Sequence, residues 1–287
     1  MPMMLLVVAL YTICSLNDKY AVSKAKLNGY QLTFLMASGT AFFLLLLMPF
    51  LDTYISLSPM TFVFILLTAA SKYFEFTMSA LILKEMSAFE LKAWLGITLF
   101  MSYFTDVAMG QPLNLLKVAF IAVTVCGLVL IAKAGRKSVS YKKIIIPLII
   151  YLLSKYGYGF IMNSAAPYAS SDMTLFFALI LLAAVLIPSA KPLKIASECA
   201  EGRKGVLFVL LAKLPNAFGL LGENAVAAQS LANYSFIQPM ILAVIFLTGL
   251  IPRKNGGYEK PSRLSIWGGA ICIAGIIGFQ LAGNLFC

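Results

Sequence analysis

Apolar segments recur along the whole chain, each near the roughly 20 residues that a helix needs to cross a membrane. Of the 287 residues, 61% are hydrophobic and only 11% are charged, which is more apolar than a soluble domain. The alternation typical of barrel strands is absent, so we predict an all-α integral membrane protein. It has ten predicted transmembrane helices, at 2–22, 29–51, 59–83, 87–108, 113–133, 143–164, 172–190, 204–227, 231–252 and 264–286.

The positions of lysine and arginine predict how these spans are oriented. Basic residues of the connections fall in the odd-numbered ones, with Lys117 as the exception. Cytoplasmic loops retain positive charge, so we expect odd-numbered loops in the cytoplasm and both termini outside. The net charge of +11 is thereby explained by topology, and no nucleic-acid partner is expected. No organelle-targeting extension is recognised, which favours a multi-pass protein of a bacterial plasma membrane.

Several chemistries are disfavoured by composition. The chain has no histidine, and its five cysteines show no paired spacing. We therefore expect neither a metal nor a cofactor. A G-x-S-x-G motif is also absent, and the connections are too short for an acidic metal cluster, so an intramembrane enzyme is only a remote alternative.

The chain also resembles itself. LLKVAFIAVTVCGLVLIAKAG (115–135) and RLSIWGGAICIAGIIGFQLAG (263–283) align with Gly127 on Gly275. We predict two five-helix repeats, 1–138 and 139–287, which form one integrated domain. Because five is odd, the second repeat is inverted relative to the first. Such 5+5 inverted repeats suit alternating access, whereas neither a channel nor a helical receptor predicts them.

A family resemblance follows from this organisation. The start LNDKY…LNGYQLTFLMASGTAFFLLL, the sequence SALILKEMSAFEL and the segment GQPLNLLKVAFIAVTVCGLVLIA resemble the drug/metabolite transporter superfamily. The chain is similar to its bacterial EamA-type members and to its nucleotide-sugar and triose-phosphate branch. EamA-type members often carry a glutamate where this chain has Gln111, so no role for that carboxylate carries over. The resemblance implies solute transport without naming the solute.

Ionisable residues inside the spans are the first candidates for a binding site, because such residues are costly in a membrane and usually face a cavity or a partner. Helical spacing and position add polar and aromatic neighbours. The predicted substrate-binding residues are Asn17, Lys19, Lys72, Glu75, Ser79, Tyr151, Lys155, Tyr158, Lys213, Asn216, Glu223, Tyr234 and Gln238.

Charge balance suggests what these residues bind. Lys72, Lys155 and Lys213 stand against Glu75 and Glu223, so an anionic or zwitterionic small-molecule solute would supply the missing negative charge. Either glutamate is a candidate proton carrier, and proton coupling and counter-solute exchange both stay open. The alternative is an amino-acid or amine exporter in which Glu75 and Glu223 bind an ammonium group.

Other interpretations compete at individual positions. Lys72 and Glu75 also suit a purely structural pair at i, i+3. Asn17 and Lys19 suit a helix end near the interface, although the family resemblance places an Asn and a Lys at the mouth of a cavity. Ala274 and Gly278 suit either a homodimer contact or internal packing.

Two expectations concern the eighth span. Pro215 predicts a kink. Lys213 and Glu223 lie about 15 Å apart along a helix, so each needs a partner elsewhere, and Lys155 and Glu75 are the first to consider.

Overall fold

The computed structural model describes residues 2–51, 53–96, 98–135, 141–227, 237, 240–242, 244 and 262–284. Within these ranges the regular structure is helical, apart from an isolated β-bridge between Ile55 and Ala169. The helices are α1 Pro2–Ser23, α2 Gly29–Leu47, α3 Pro59–Glu85, α4 Ala88–Leu95, α5 Thr98–Ala108, α6 Leu115–Gly135, α7 Tyr141–Ala165, α8 Ser171–Ala190, α9 Pro192–Glu198, α10 Gly202–Leu211, α11 Lys213–Ala227 and α12 Arg263–Asn284. A short 3-10 turn, Met48–Phe50, extends α2.

Six helical segments among the described residues are long and apolar enough to cross a membrane. They are Leu5–Ser23, Gly29–Phe50, Pro59–Glu85, Lys143–Ala165, Ser171–Ala190 and Gly202–Val226. Two shorter apolar stretches, Leu115–Ile131 and Arg263–Phe279, lie in α6 and α12. The predicted ninth span, 231–252, falls mostly outside the described residues.

Two of the predicted spans are interrupted. The span predicted at 87–108 is divided into α4 and α5, with a turn at Gly96. The span predicted at 204–227 is divided at Ala212 into α10 and α11. Pro215 explains the second break, because it has no N–H and its ring would clash with the carbonyl four residues earlier, at Leu211. Leu211 is the last residue of α10, so the predicted kink is present just before the proline.

The helices pack into two units, and each unit combines parts of both predicted repeats. The first unit contains Met1–Glu85 and Lys142–Gln229, and the second contains Met86–Tyr141 and Ser230–Cys287. The first unit thus takes the first three predicted spans of each repeat, and the second unit takes the fourth and fifth.

In the second unit, glycines bring α6 and α12 into close contact. A Cβ atom would lie 2.5 Å from the Cys272 nitrogen if placed on Gly127, and 2.7 Å from the Thr124 nitrogen if placed on Gly275. Residue numbers along α6 therefore rise as those along α12 fall, so the two helices run antiparallel. Gly278 belongs to the same contact, where it meets the ring of Phe120, and so serves internal packing.

Candidate functional site

The first unit buries four charged side chains from three helices. On α3, the Lys72 ammonium lies 2.7 Å from Glu75 Oε2, and the Lys72 side chain is fully buried. On α7, the Lys155 ammonium lies 3.1 Å from Glu75 Oε1 and 2.6 Å from Glu223 Oε1, which is on α11. Lys72, Glu75, Lys155 and Glu223 thus form a chain of alternating charge, which we call the charge chain.

Lys155 is the member that holds the charge chain together. Among the described residues it is the only one of the four that forms ion pairs with carboxylates on two other helices, α3 and α11. The i, i+3 spacing of Lys72 and Glu75 accounts for their contact within α3, as a structural pair requires. That pair is nevertheless not isolated, because Glu75 also contacts Lys155.

Two tyrosines surround the charge chain. The Tyr11 hydroxyl of α1 donates a hydrogen bond to Glu223 Oε2. The Lys72 ammonium lies 3.4 Å from the centroid of the Tyr158 ring, whose negative face attracts a cation. The Tyr158 hydroxyl in turn donates to Asn224 Oδ1 at 2.6 Å. Both tyrosines are buried, so they also separate the charges from the protein surface.

A glycine allows Tyr11 to reach α11. A Cβ atom on Gly219 would lie 2.8 Å from the Tyr11 ring, closer than a real Cβ contact allows. The glycine is therefore required for the packing that places the Tyr11 hydroxyl on Glu223. Packing thus explains one of the glycines that follow Pro215.

A second buried group lies elsewhere in the same unit. The Lys213 ammonium at the start of α11 contacts Asp18 Oδ1 of α1 at 2.8 Å. Asn216, one turn later, donates through Nδ2 to Thr40 Oγ1 of α2 at 2.9 Å. Asn17 is buried, and neither polar atom of its side chain has a hydrogen-bond partner within the described structure.

These contacts correct two expectations. We expected Lys155 and Glu75 to be the partners of Glu223 and Lys213. Glu223 does pair with Lys155, whereas Lys213 pairs with Asp18 and not with Glu75. The expected surplus of one positive charge also omitted Asp18, which pairs with Lys213. With Asp18 included, the ion-paired charges of the first unit balance, three lysines against three carboxylates.

The remaining predicted site residues lie outside the charge chain. The Ser79 hydroxyl donates to the Phe76 carbonyl of its own helix, and Lys19 donates to the Leu83 carbonyl near the end of α3. Tyr151 is buried and interacts electrostatically with Glu75 and Lys155. Tyr234 and Gln238 lie outside the described residues.

Sequence reasoning missed Tyr11, Asp18 and Asn224. A usable signal existed for two of them, since Tyr11 and Asp18 are seven residues apart and therefore share a face of α1. Cys14 lies between them on that face and contacts the Ala212 carbonyl at 3.8 Å, at the break between α10 and α11. Asn224 adjoins Glu223, and no pattern distinguished it.

The charge chain is electrically self-compensated, and its chemistry permits an exchange of ionic partners. Every ammonium and carboxylate in it already has an opposite charge beside it, which offsets the large cost of removing charges from water. A solute that carries its own charged groups can replace one of these internal contacts without leaving a buried charge unpaired. The same arrangement serves a purely structural role if no solute reaches it.

Comparisons with known proteins do not identify a family for this chain. No protein-family model matches the sequence, and no curated protein matches it. A solved structure described as "Crystal structure of protein" has a TM-score of 0.49 and 12% sequence identity, over 98% of this chain and 99% of that chain. A likeness this low shows no shared activity, so membership of the drug/metabolite transporter superfamily stays a prediction.

Proposed function

We propose that the protein is a secondary active transporter that moves a small polar metabolite, anionic or zwitterionic, across the plasma membrane by alternating access. The solute binds at the charge chain, and the two five-helix repeats exchange conformations around it. Ten spans, cytoplasmic odd-numbered loops and external termini belong to the same proposal. The partners are the solute, the lipid bilayer and either protons or a counter-solute.

The observation that carries the proposal is the charge chain itself. Lys72, Glu75, Lys155 and Glu223 are each more than nine-tenths buried, on helical segments long and apolar enough to cross a membrane. Ionisable residues at such positions are rare and usually mark a solute or ion pathway. Their contacts join three separate helices, α3, α7 and α11, so a rearrangement of these helices would remake the contacts.

The helix packing supports the inverted repeat. Gly127 aligns with Gly275 between the repeats, and Thr124 aligns with Cys272. Gly127 closely approaches Cys272, and Gly275 closely approaches Thr124. These reciprocal contacts are those expected between two elements related by a twofold axis. The antiparallel course of α6 and α12 also agrees with repeats that cross the membrane in opposite directions.

Counterflow in proteoliposomes tests transport directly. Vesicles are loaded with an unlabelled metabolite, and the same metabolite in labelled form is added outside. The label should accumulate inside above its external concentration. Solutes for this assay come from a thermal-shift screen, because a ligand at 100 times its Kd stabilises the folded state by about 2.7 kcal/mol. We expect Glu223→Gln to abolish counterflow of a zwitterion, whose ammonium loses a carboxylate partner, and to remove the pH response of an anion's counterflow, while the protein still inserts and folds.

Gly157→Ala is the matched control, since a Cβ at this position of α7 meets no atom within 4 Å. It should transport as the wild type does. Wild-type counterflow by Glu223→Gln would refute the proposed site. Turnover of a solute to a new compound, with no counterflow, would favour the enzyme.

The amino-acid or amine exporter remains the second candidate. One contact favours it, because Glu223 has a single ammonium partner, Lys155, among the described residues, together with the Tyr11 hydroxyl. A solute ammonium can therefore take the place of Lys155 at Glu223. Inhibition of counterflow by simple amines, with no effect of carboxylates, would select this alternative.

A further inference from the structure

The connection between α8 and α10 contains a short helix with a fully exposed leucine. The segment starts directly after the end of α8 at Ala190, and α9 spans Pro192–Glu198. Ile195 faces the protein and is buried, whereas Leu193 is 99% exposed. Leu193 is three residues beyond the end of a membrane-length helix, so it lies within about 10 Å of that end even if the chain is fully extended. If α8 crosses a membrane, Leu193 lies close enough to its surface to contact lipid.

Hydrogen bonds fix this connection against two other parts of the first unit. The Ala200 nitrogen donates to the Ala25 carbonyl at 3.0 Å, which joins it to the turn between α1 and α2. Gln31 of α2 donates to Glu198 at 2.5 Å. The bond from Lys19 to the Leu83 carbonyl adds the end of α3. Three chain segments thus meet at one end of the unit.

This end carries most of the exposed positive charge of the described unit, and we call it the basic end. Its exposed lysines and arginine are Lys24, Lys26, Lys84, Lys191, Lys194, Arg203 and Lys204. Its exposed carboxylates are Glu85, Glu198 and Glu201, so positive charge is in excess. At the opposite end, the connections 48–58 and 166–170 contain no lysine or arginine.

We propose that the basic end is a docking surface for anionic lipid headgroups, with Leu193 inserted at the boundary of the acyl chains. Basic side chains beside a membrane attract anionic headgroups, and a neighbouring apolar side chain adds burial. The surface is preformed, because hydrogen bonds join the region of α1 and α2 both to the connection and to the end of α3. It is separate from the charge chain, so its failure would leave the proposed transport intact.

Purified protein in a neutral maltoside detergent tests this surface. Phosphatidylglycerol should raise the Tm and remain bound in native mass spectra, whereas phosphatidylcholine at the same mole fraction should do neither. Each basic residue near the surface should contribute about fivefold to affinity. We therefore expect Lys194→Gln to weaken retention of phosphatidylglycerol about fivefold, and Lys194→Gln with Arg203→Gln about 25-fold. Leu193→Ser should weaken it further.

The control is Lys117→Gln, in the first turn of α6 and outside the basic end, which should retain phosphatidylglycerol as the wild type does. Soluble glycerol phosphate should bind far more weakly, because it lacks the acyl chains. Equal effects of both lipids, equal losses in Lys117→Gln and Lys194→Gln, or equally tight binding of glycerol phosphate would each overturn the proposal. If a variant aggregates, the salt dependence of the wild type tests the proposal. Added salt must weaken the retention of phosphatidylglycerol by the wild type.

Discussion

Replacing Lys155 by methionine tests whether the charge chain is an integral part of the buried structure. Its ammonium contacts carboxylates on α3 and α11, at 3.1 and 2.6 Å. Lys155→Met keeps most of the stem but leaves the chain with a net charge of −1. Glu75 still has Lys72, whereas Glu223 keeps only the Tyr11 hydroxyl. Breaking a buried pair in this way costs about 3–5 kcal/mol of folding free energy.

A compensating substitution makes the prediction sharper. Combining Lys155→Met with Glu223→Gln returns the chain to neutrality, with the Lys72 and Glu75 pair intact. Replacing both members of a buried ion pair is often neutral, so the double variant should recover at least half of the lost stability. On the same helix, Lys143 is exposed, and Lys143→Met should change stability by less than about 0.5 kcal/mol.

The measurement is the Tm in a mild detergent, followed by intrinsic fluorescence. At roughly 2–4 °C per kcal/mol, Lys155→Met should lower the Tm by roughly 6–20 °C. A Tm unchanged from that of the wild type would show that Lys155 does not neutralise Glu223 in the folded protein. A double variant no more stable than Lys155→Met would show that its loss comes from packing and not from charge.

Three further predictions concern other contacts. Gly219→Ala should lower the Tm and displace Tyr11 from Glu223, whereas Gly157→Ala, with open space around its Cβ, should be neutral or stabilising by about 0.5–1 kcal/mol; equal Tm values would refute the close approach. Asp18→Asn should destabilise the protein by about 3–5 kcal/mol because Lys213 loses its carboxylate, and adding Lys213→Met should restore much of this loss; simple addition of the two losses would contradict the pairing. In cells, with Cys126 and Cys287 replaced, a cysteine at exposed Ser56 should react with an impermeant thiol reagent and one at exposed Ser197 should not; the reverse pattern would invert the proposed orientation.

The helices were largely predictable because their information is local. An apolar run of sufficient length predicts a span whatever it packs against, and most described helices coincide with such runs. The break before Pro215 was predictable for the same reason, since a proline disturbs the carbonyl four residues earlier in any helix. The break at Gly96 was not, because glycine is common within membrane helices and marks no particular position.

The ionic partners were only partly predictable. Helical spacing identifies which side chains share a face, and it found the Lys72 and Glu75 pair correctly. It does not tell which helices are neighbours. Asp18 and Lys213 are on helices far apart in the chain, so only packing brings them together. Asp18 also lies near the end of α1, where a charged residue normally indicates an interface and not a buried pair.

The neutrality of the charge chain links two properties of the proposed transport, solute charge and coupling. A zwitterion that exchanges its ammonium and carboxylate with members of the chain adds no net charge, so it needs no accompanying ion. A monovalent anion bound at Lys155 would leave a buried charge of −1, which is costly unless one proton also binds at Glu75 or Glu223. An anion should therefore enter with one proton, and its counterflow should respond to an imposed pH gradient. Counterflow of a zwitterion should not respond to the gradient. Counterflow of an anion that is unchanged by the gradient would show that the anion binds elsewhere.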